Sequence, residues 1–152
     1  MIYRLTIFLV INFAALSLGS YLGGKGPSSN WYASIAKAPW TPPGWVFGVS
    51  WFTIMICFSI YLAYLWPIVD NKKLLIGLLA LQYLLNIAWN PVFFYYHNIL
   101  AGLIIIIGLS AVVGFFLFFY WDALKYKSLL IMPYFIWLLI ATSLNGYSVL
   151  KN

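Results

Sequence analysis

The sequence predicts an all-α integral membrane protein, a single-domain bundle of five transmembrane helices with a ligand cavity under the first loop. Three observations lead there. Hydrophobic residues fill 65% of the 152 positions and charged residues 7%, against about 45–50% and about 25% in soluble domains, so only a bilayer can solvate the chain. Five apolar runs, at about residues 5–23, 44–66, 74–96, 99–120 and 129–149, are each long enough to cross one. Between the first two lies Trp31 to Trp51, WYASIAKAPWTPPGWVFGVSW, which holds four of the eight tryptophans and three of the seven prolines. Flexible linkers are built from Gly, Ser and charge, so this rigid aromatic connection is meant to sit against something.

The first span follows Arg4 and would measure roughly 28 Å as a helix. A cleaved signal peptide is the competing reading. The run is long for one, and Ala15, Gly19 and Gly23 form a four-residue ladder suited to helix packing. Next comes a broken polar segment, in which Ser28, Ser29 or Asn30 can cap a short surface helix through Lys37, stopped by Pro39. The second span is aromatic at both ends and is terminated by Pro67, Asp70 and Lys72-Lys73. The third carries Gln82, Asn86 and Asn90 at four-residue intervals, on one face, before Pro91 kinks or ends it. His97 and Asn98 connect it to the fourth span, where Ser110 and Gly114 form a close-packing pair. Pro133 falls in the first turn of the fifth.

Counting cations by side places Arg4, Lys72, Lys73, Lys125 and Lys127 on one face and Lys25, Lys37 and Lys151 on the other. The bias predicts a cytoplasmic N-terminus with the tryptophan-rich loop outside. The net charge of +6 is thus a topology signal facing the lipid bilayer, and no nucleic-acid partner is expected. No Asp, Glu, Lys, Arg or His lies inside the five runs, which argues against ion-coupled transport. One histidine, one cysteine and two carboxylates in separate loops make no triad, carboxylate pair or metal site. What remains is an aromatic cage with a few amides. Threading brings Trp51, Asn86 and Trp89 to similar depth beneath the loop, with Trp137 entering from the opposite face and expected nearer mid-membrane. Trp66, Tyr120, Trp121 and Tyr3 read as interfacial anchors, and Asn12 and Gln82 as interhelical glue.

These residues resemble a known signature. Trp31-Tyr32, Lys37, Pro39-Trp40, Pro42-Pro43, Trp45, Phe47 and Trp51 are similar to the motif of the translocator protein family, also called tryptophan-rich sensory proteins or peripheral benzodiazepine receptors. The likeness continues through Gln82, Asn86, Trp89, Pro91, Phe93 and Phe94, and through Pro133-Tyr134, Trp137, Ala141-Thr142 and Leu144-Asn145, so it covers essentially the whole chain. It implies a five-helix bundle, commonly homodimeric, with Trp51, Asn86, Trp89, Trp137 and Ala141 on the cavity wall and Trp31, Tyr32 and Pro42 in a lid. The implied ligands are protoporphyrin IX and synthetic isoquinoline carboxamides, with no bound cofactor. Some bacterial members are described as promoting light- and oxygen-dependent porphyrin breakdown, with the tryptophans matching Trp51 and Trp137 implicated. The short chain resembles a bacterial member, which implies the cell membrane. Leu144, Tyr147 and Lys151 satisfy a loose sterol-recognition pattern.

Three departures stand out. Ala38 and Val49 replace family prolines and relax the backbone around the lid, and no acid stands near Ile104 and Ile105. The sequence therefore points to a tetrapyrrole receptor that degrades porphyrin photo-oxidatively. The rival readings are a passive translocator of porphyrin or lipid, and a sensory or structural partner docking through its aromatic loop.

Overall fold

The computed structural model describes residues 1–152 and contains seven α-helices and no strand. Helix α1 (Ile2–Leu22) runs to Gly24 and Gly26, whose φ angles of 65° and 51° suit glycine and turn the chain into the first loop. A short α2 (Asn30–Ser34) and an extended segment lead to α3 (Gly44–Ile68). Helix α4 (Lys72–Asn90) passes into a π-helical turn at Pro91–Tyr95, followed by α5 (Ile99–Phe119). The single turn α6 (Trp121–Leu124) and a 3₁₀ stretch, Lys125–Ile131, precede α7 (Met132–Lys151). Five helical segments are long and apolar enough to cross a membrane. The protein is thus an integral, multi-pass membrane protein.

Hydrocarbon offers helix ends no hydrogen bonds, so the chain supplies its own. Asn71 Oδ1 accepts from Leu74 N at 3.0 Å to start α4, and Asn98 Oδ1 accepts from Ala101 N at 3.0 Å to start α5. At the far end of α3 the Lys72 ammonium donates to the carbonyls of Trp66 and Val69. Pro67 therefore sits inside the last turn of α3 rather than ending it.

The packed core occupies the half of the bundle away from the first loop. On α3 every buried side chain lies from Ile54 onward, and Phe58, Tyr61, Phe116 and Tyr134 interlock there through ring contacts of 5.4 to 6.5 Å. Buried amides tie the helices together. Asn12 of α1 donates to Ser59 Oγ of α3 (2.7 Å) and accepts from Tyr83 Oη of α4 (2.7 Å). Gln82 and Asn86 of α4 donate to Tyr134 Oη of α7 at 2.8 and 2.9 Å. Asn145 of α7 faces the start of α5, within 3.2 Å of the Ile99 carbonyl and 2.8 Å of Leu103 N.

Asn90 does not share the face of the other two amides. Four residues overshoot a full helical turn by about 40°, so eight residues rotate Asn90 away from α7 and toward α1. There it meets the small-residue ladder, and a side chain added at Gly19 or Gly23 would collide with it at 3.1 to 3.2 Å. That ladder is thus spent inside the protomer, as is Gly114, which is covered by Phe135. Gly77 of α4, by contrast, has nothing within 4 Å of an added side chain.

Changing Tyr134 to Phe leaves two buried amides without their acceptor. Interhelical hydrogen bonds in membranes average about 0.6 kcal/mol each and an orphaned buried amide costs more, so a loss of about 1–3 kcal/mol is expected. Reversible unfolding in mixed micelles measures it, and an unchanged midpoint would remove this bridge from the account.

Candidate functional site: a cavity beneath the tryptophan-rich loop

The lid-side part of α3 is left unpacked because its inward face alternates glycine and aromatic residues. Gly44, Phe47, Gly48 and Trp51 recur at helical spacing and line a cavity of about 270 Å³. Nothing lies within 4 Å of a side chain added at Gly44 or Gly48, so these glycines are space rather than contact. Leu16 and Ser20 of α1, Trp89 and Asn90 of α4, Phe94 of the π turn, Ile106 of α5, and Trp137 and Ala141 of α7 complete the wall, with Pro27 at the mouth. No charged residue touches it.

Each wall aromatic is held by another ring. Trp51 meets Tyr134 edge-on at 5.8 Å, Phe47 meets Trp137 edge-on at 5.3 Å, and Trp89 stacks on Phe93 at 5.2 Å. Tyr134 is thus the floor, its ring under Trp51 and its hydroxyl bound to α4. Trp137 meets Phe47 on one side and lines a second concavity with Val49, Ser50, Thr53 and Ile54 on the other, residues that bracket Trp51 along α3.

A smaller chamber of about 30 Å³ lies between the loop and α7, sharing Phe47, Trp89, Phe94 and Ala141 with the main cavity. Tyr32, Lys37 and Thr41 roof it, and Leu144, Asn145 and Ser148 form its α7 side. The indole N–H of Trp89, on the partition between the chambers, is buried and has no hydrogen-bond partner. It is the one unspent donor that the wall holds out of solvent. Asn86 lies behind the wall instead, its amide engaged by Tyr134.

The loop is a fastened lid. Ser29 caps α2 by accepting from Tyr32 N at 3.1 Å. The helix stops at Ser34 rather than reaching Lys37, because the Lys37 ammonium folds back to the carbonyls of Tyr32 (2.8 Å) and Ala33 (3.1 Å) and closes its C-terminus. Trp31 stacks on His97 at 4.2 Å, and Tyr32 meets Phe94 edge-on at 5.4 Å, so α2 rests on the turn that follows α4. Burial pushes the Tyr32 phenol up. Pro42, in the extended segment, lines neither chamber. The other edge of the lid is tied to α7. Trp40 Nε1 donates to Ser143 Oγ (3.1 Å), Ala36 N donates to Asn152 Oδ1 (2.9 Å), and Asn152 Nδ2 donates to the Ala36 carbonyl (3.1 Å). Phe47 and Lys37 appear in the sequence motif without a role, and Ser143 and Asn152 carry no local signal at all.

This geometry can be set beside known proteins. The family model for the TspO/MBR family matches residues 7–150. The chain belongs to the TspO/MBR family. It is 32% identical to Protein CrtK of Rhodobacter capsulatus over 93% of this chain and 89% of that one. It is 34% identical to the Tryptophan-rich protein TspO of Archaeoglobus fulgidus over 95% and 91%, and 30% identical to the human Translocator protein over 86% and 82%. Within this TspO/MBR chain the departures expected to relax the lid fall in ordered backbone. Ala38 is buried and its carbonyl accepts from both Thr41 N and Thr41 Oγ1, while α3 runs unbroken through Val49. The sterol-pattern residues lie at i, i+3 and i+7 along one side of α7. Leu144 lines the small chamber, Tyr147 packs edge-on against Trp40 at 5.5 Å, and the Lys151 ammonium lies 6.0 Å from the Tyr147 ring.

Replacing Trp40 by Phe keeps the Tyr147 contact but removes the bond to Ser143. A hydrogen bond contributes about 1 kcal/mol, so amide exchange in residues 36–41 should quicken about fivefold while the spans keep their protection. Hydrogen-exchange mass spectrometry in micelles distinguishes this from an unchanged lid.

Proposed function

We propose that this TspO/MBR protein is a membrane receptor for tetrapyrroles, holding protoporphyrin IX against Trp51, Trp89 and Trp137 and promoting its breakdown under light and oxygen. The observation that carries the reading is a mostly apolar cavity walled by three indoles, with a free N–H at Trp89 and no charged side chain. Flat aromatic macrocycles stack on indole faces, and the buried N–H is a partner for a ligand carbonyl or carboxylate. At about 270 Å³ the cavity falls just below the range for small-molecule sites, about 300–1,000 Å³, so a whole macrocycle requires the lid to lift. The fastenings of the lid to α7 lie near the surface, where such opening costs least.

The chemistry suits this inventory. The excited porphyrin is the photosensitiser and the species oxidised, and dioxygen is the oxidant, so the protein contributes a water-poor cage and oxidisable indoles at Trp51 and Trp137 rather than an acid or base. Synthetic isoquinoline carboxamides, flat and aromatic with a carbonyl acceptor, would compete for the same wall. Passive translocation finds less support, because below Trp51 the bundle is filled by Phe58, Tyr61, Phe116 and Tyr134, none more than 1% exposed. The reading includes a bacterial cell membrane, a cytoplasmic N-terminus and a homodimer, for which the open face at Gly77 is one small-residue surface left uncovered.

Protoporphyrin IX titrated in the dark should quench tryptophan fluorescence saturably. Gly48→Phe, whose ring enters open space, should weaken binding by tenfold or more without lowering the melting temperature, and Trp51→Phe with Trp137→Phe should reduce both quenching and bleaching. Parent-like binding by Gly48→Phe would move the ligand out of this cavity.

A further inference from the structure

On the side opposite the lid a second concavity, of about 280 Å³, opens between α1, α3 and α4, lined by Arg4, Ile7, Phe8, Ile11, Trp66, Leu79 and Tyr83. Phe8 and Leu79 are its buried floor, and Ile7 and Ile11 are exposed along its lip. The groove is apolar along its length and carries one charge at its end. Arg4 Nε is shielded from solvent and has no hydrogen-bond partner. No carboxylate reaches it, since the chain has only Asp70 and Asp122, and the sole ion pair joins Asp122 to Lys125. The neighbouring cation is differently employed. Lys72 closes the end of α3 and lies 5.4 Å from the Trp66 ring, which in turn meets Phe8 edge-on at 5.9 Å.

Arg4 thus sits at the level of the end of α3, where an interfacial tryptophan marks the headgroup region, on the face that also holds Lys72, Lys73, Lys125 and Lys127. Arg4 is half-buried with its Nε shielded and unpaired, so at the end of an apolar groove it favours a ligand that supplies an anion. Its planar fork matches phosphate oxygens, and an apolar channel running into the bilayer from that point matches an acyl chain. We propose that this groove seats one anionic phospholipid, its phosphate on the Arg4 guanidinium and one acyl chain along Ile7, Phe8, Ile11 and Leu79. The site lies on the other side of the packed core from the tryptophan-walled cavity and does not depend on what that cavity binds.

Native mass spectrometry of the full chain released from micelles, titrated with phosphatidylglycerol or phosphatidylcholine, tests this. The parent should retain one phosphatidylglycerol in preference to phosphatidylcholine. Arg4→Gln should lower that preference about fivefold, the factor expected for one cation near an anionic lipid surface, and Arg4→Lys should restore part of it. Lys73→Gln removes an equal charge outside the groove and should change little. Ile7→Trp keeps the charge and obstructs the groove, and it should release the lipid even if Arg4→Gln proves unstable. Inorganic phosphate at millimolar concentration should not displace the lipid. Equal retention of the two lipids by the parent, an equal loss in Lys73→Gln, full retention in Ile7→Trp, or displacement by inorganic phosphate would each overturn the assignment.

Discussion

The hydroxyl of Tyr134 is the point on which the rest of the bundle depends. It accepts from Gln82 and Asn86 and so clamps α7 to α4, while its ring lies edge-on beneath Trp51 and against Phe58 of α3. Apolar surface gives helices in a bilayer little reason to associate, because lipid tails are equally apolar, so close packing and polar contacts decide which helices meet. One side chain here joins three of them. It also divides the molecule: below it the rings interlock into a solid core, and above it glycines and indoles enclose open space. The cavity exists because the packing stops at Tyr134.

Helix α7 serves this division at both ends. Its first turns carry Tyr134 and Trp137, and its end provides Ser143, Ser148 and Asn152 to hold the lid. Movement of the lid edge is thereby coupled to the helix that carries Trp137 and Ala141. The other edge of the lid rests through Trp31 and Tyr32 on the π turn after Pro91, whose aromatic residues also form the wall beside Trp89. The proline that interrupts α4 and the tryptophans of the loop are thus parts of one assembly.

The spans were legible in the sequence because bilayer thickness acts directly on the length of an apolar run. The 3₁₀ stretch at 125–131 was not legible, because hydropathy is blind to rise per residue. Spacing correctly paired Gln82 with Asn86, yet it also grouped Asn90 with them. A rotation of about 40° per four residues is small over one step and decisive over two. The ladder at Gly19 and Gly23 announced close packing without naming its partner, which proved to be Asn90 of the same chain. The bonds from the lid to α7 join residues more than 100 positions apart and have no local pattern. Only the folded chain reveals them.

The proposed function requires that an indole-walled cage, without acid or base, suffices to hold a porphyrin and promote its oxidation. The most direct measurement follows the absorbance of protoporphyrin IX mixed with the protein, in light and in dark, with and without oxygen, beside a protein-free control. Protein-dependent loss of the porphyrin band is expected only where light and oxygen act together. Loss in the dark, or loss in light at the protein-free rate, would contradict it.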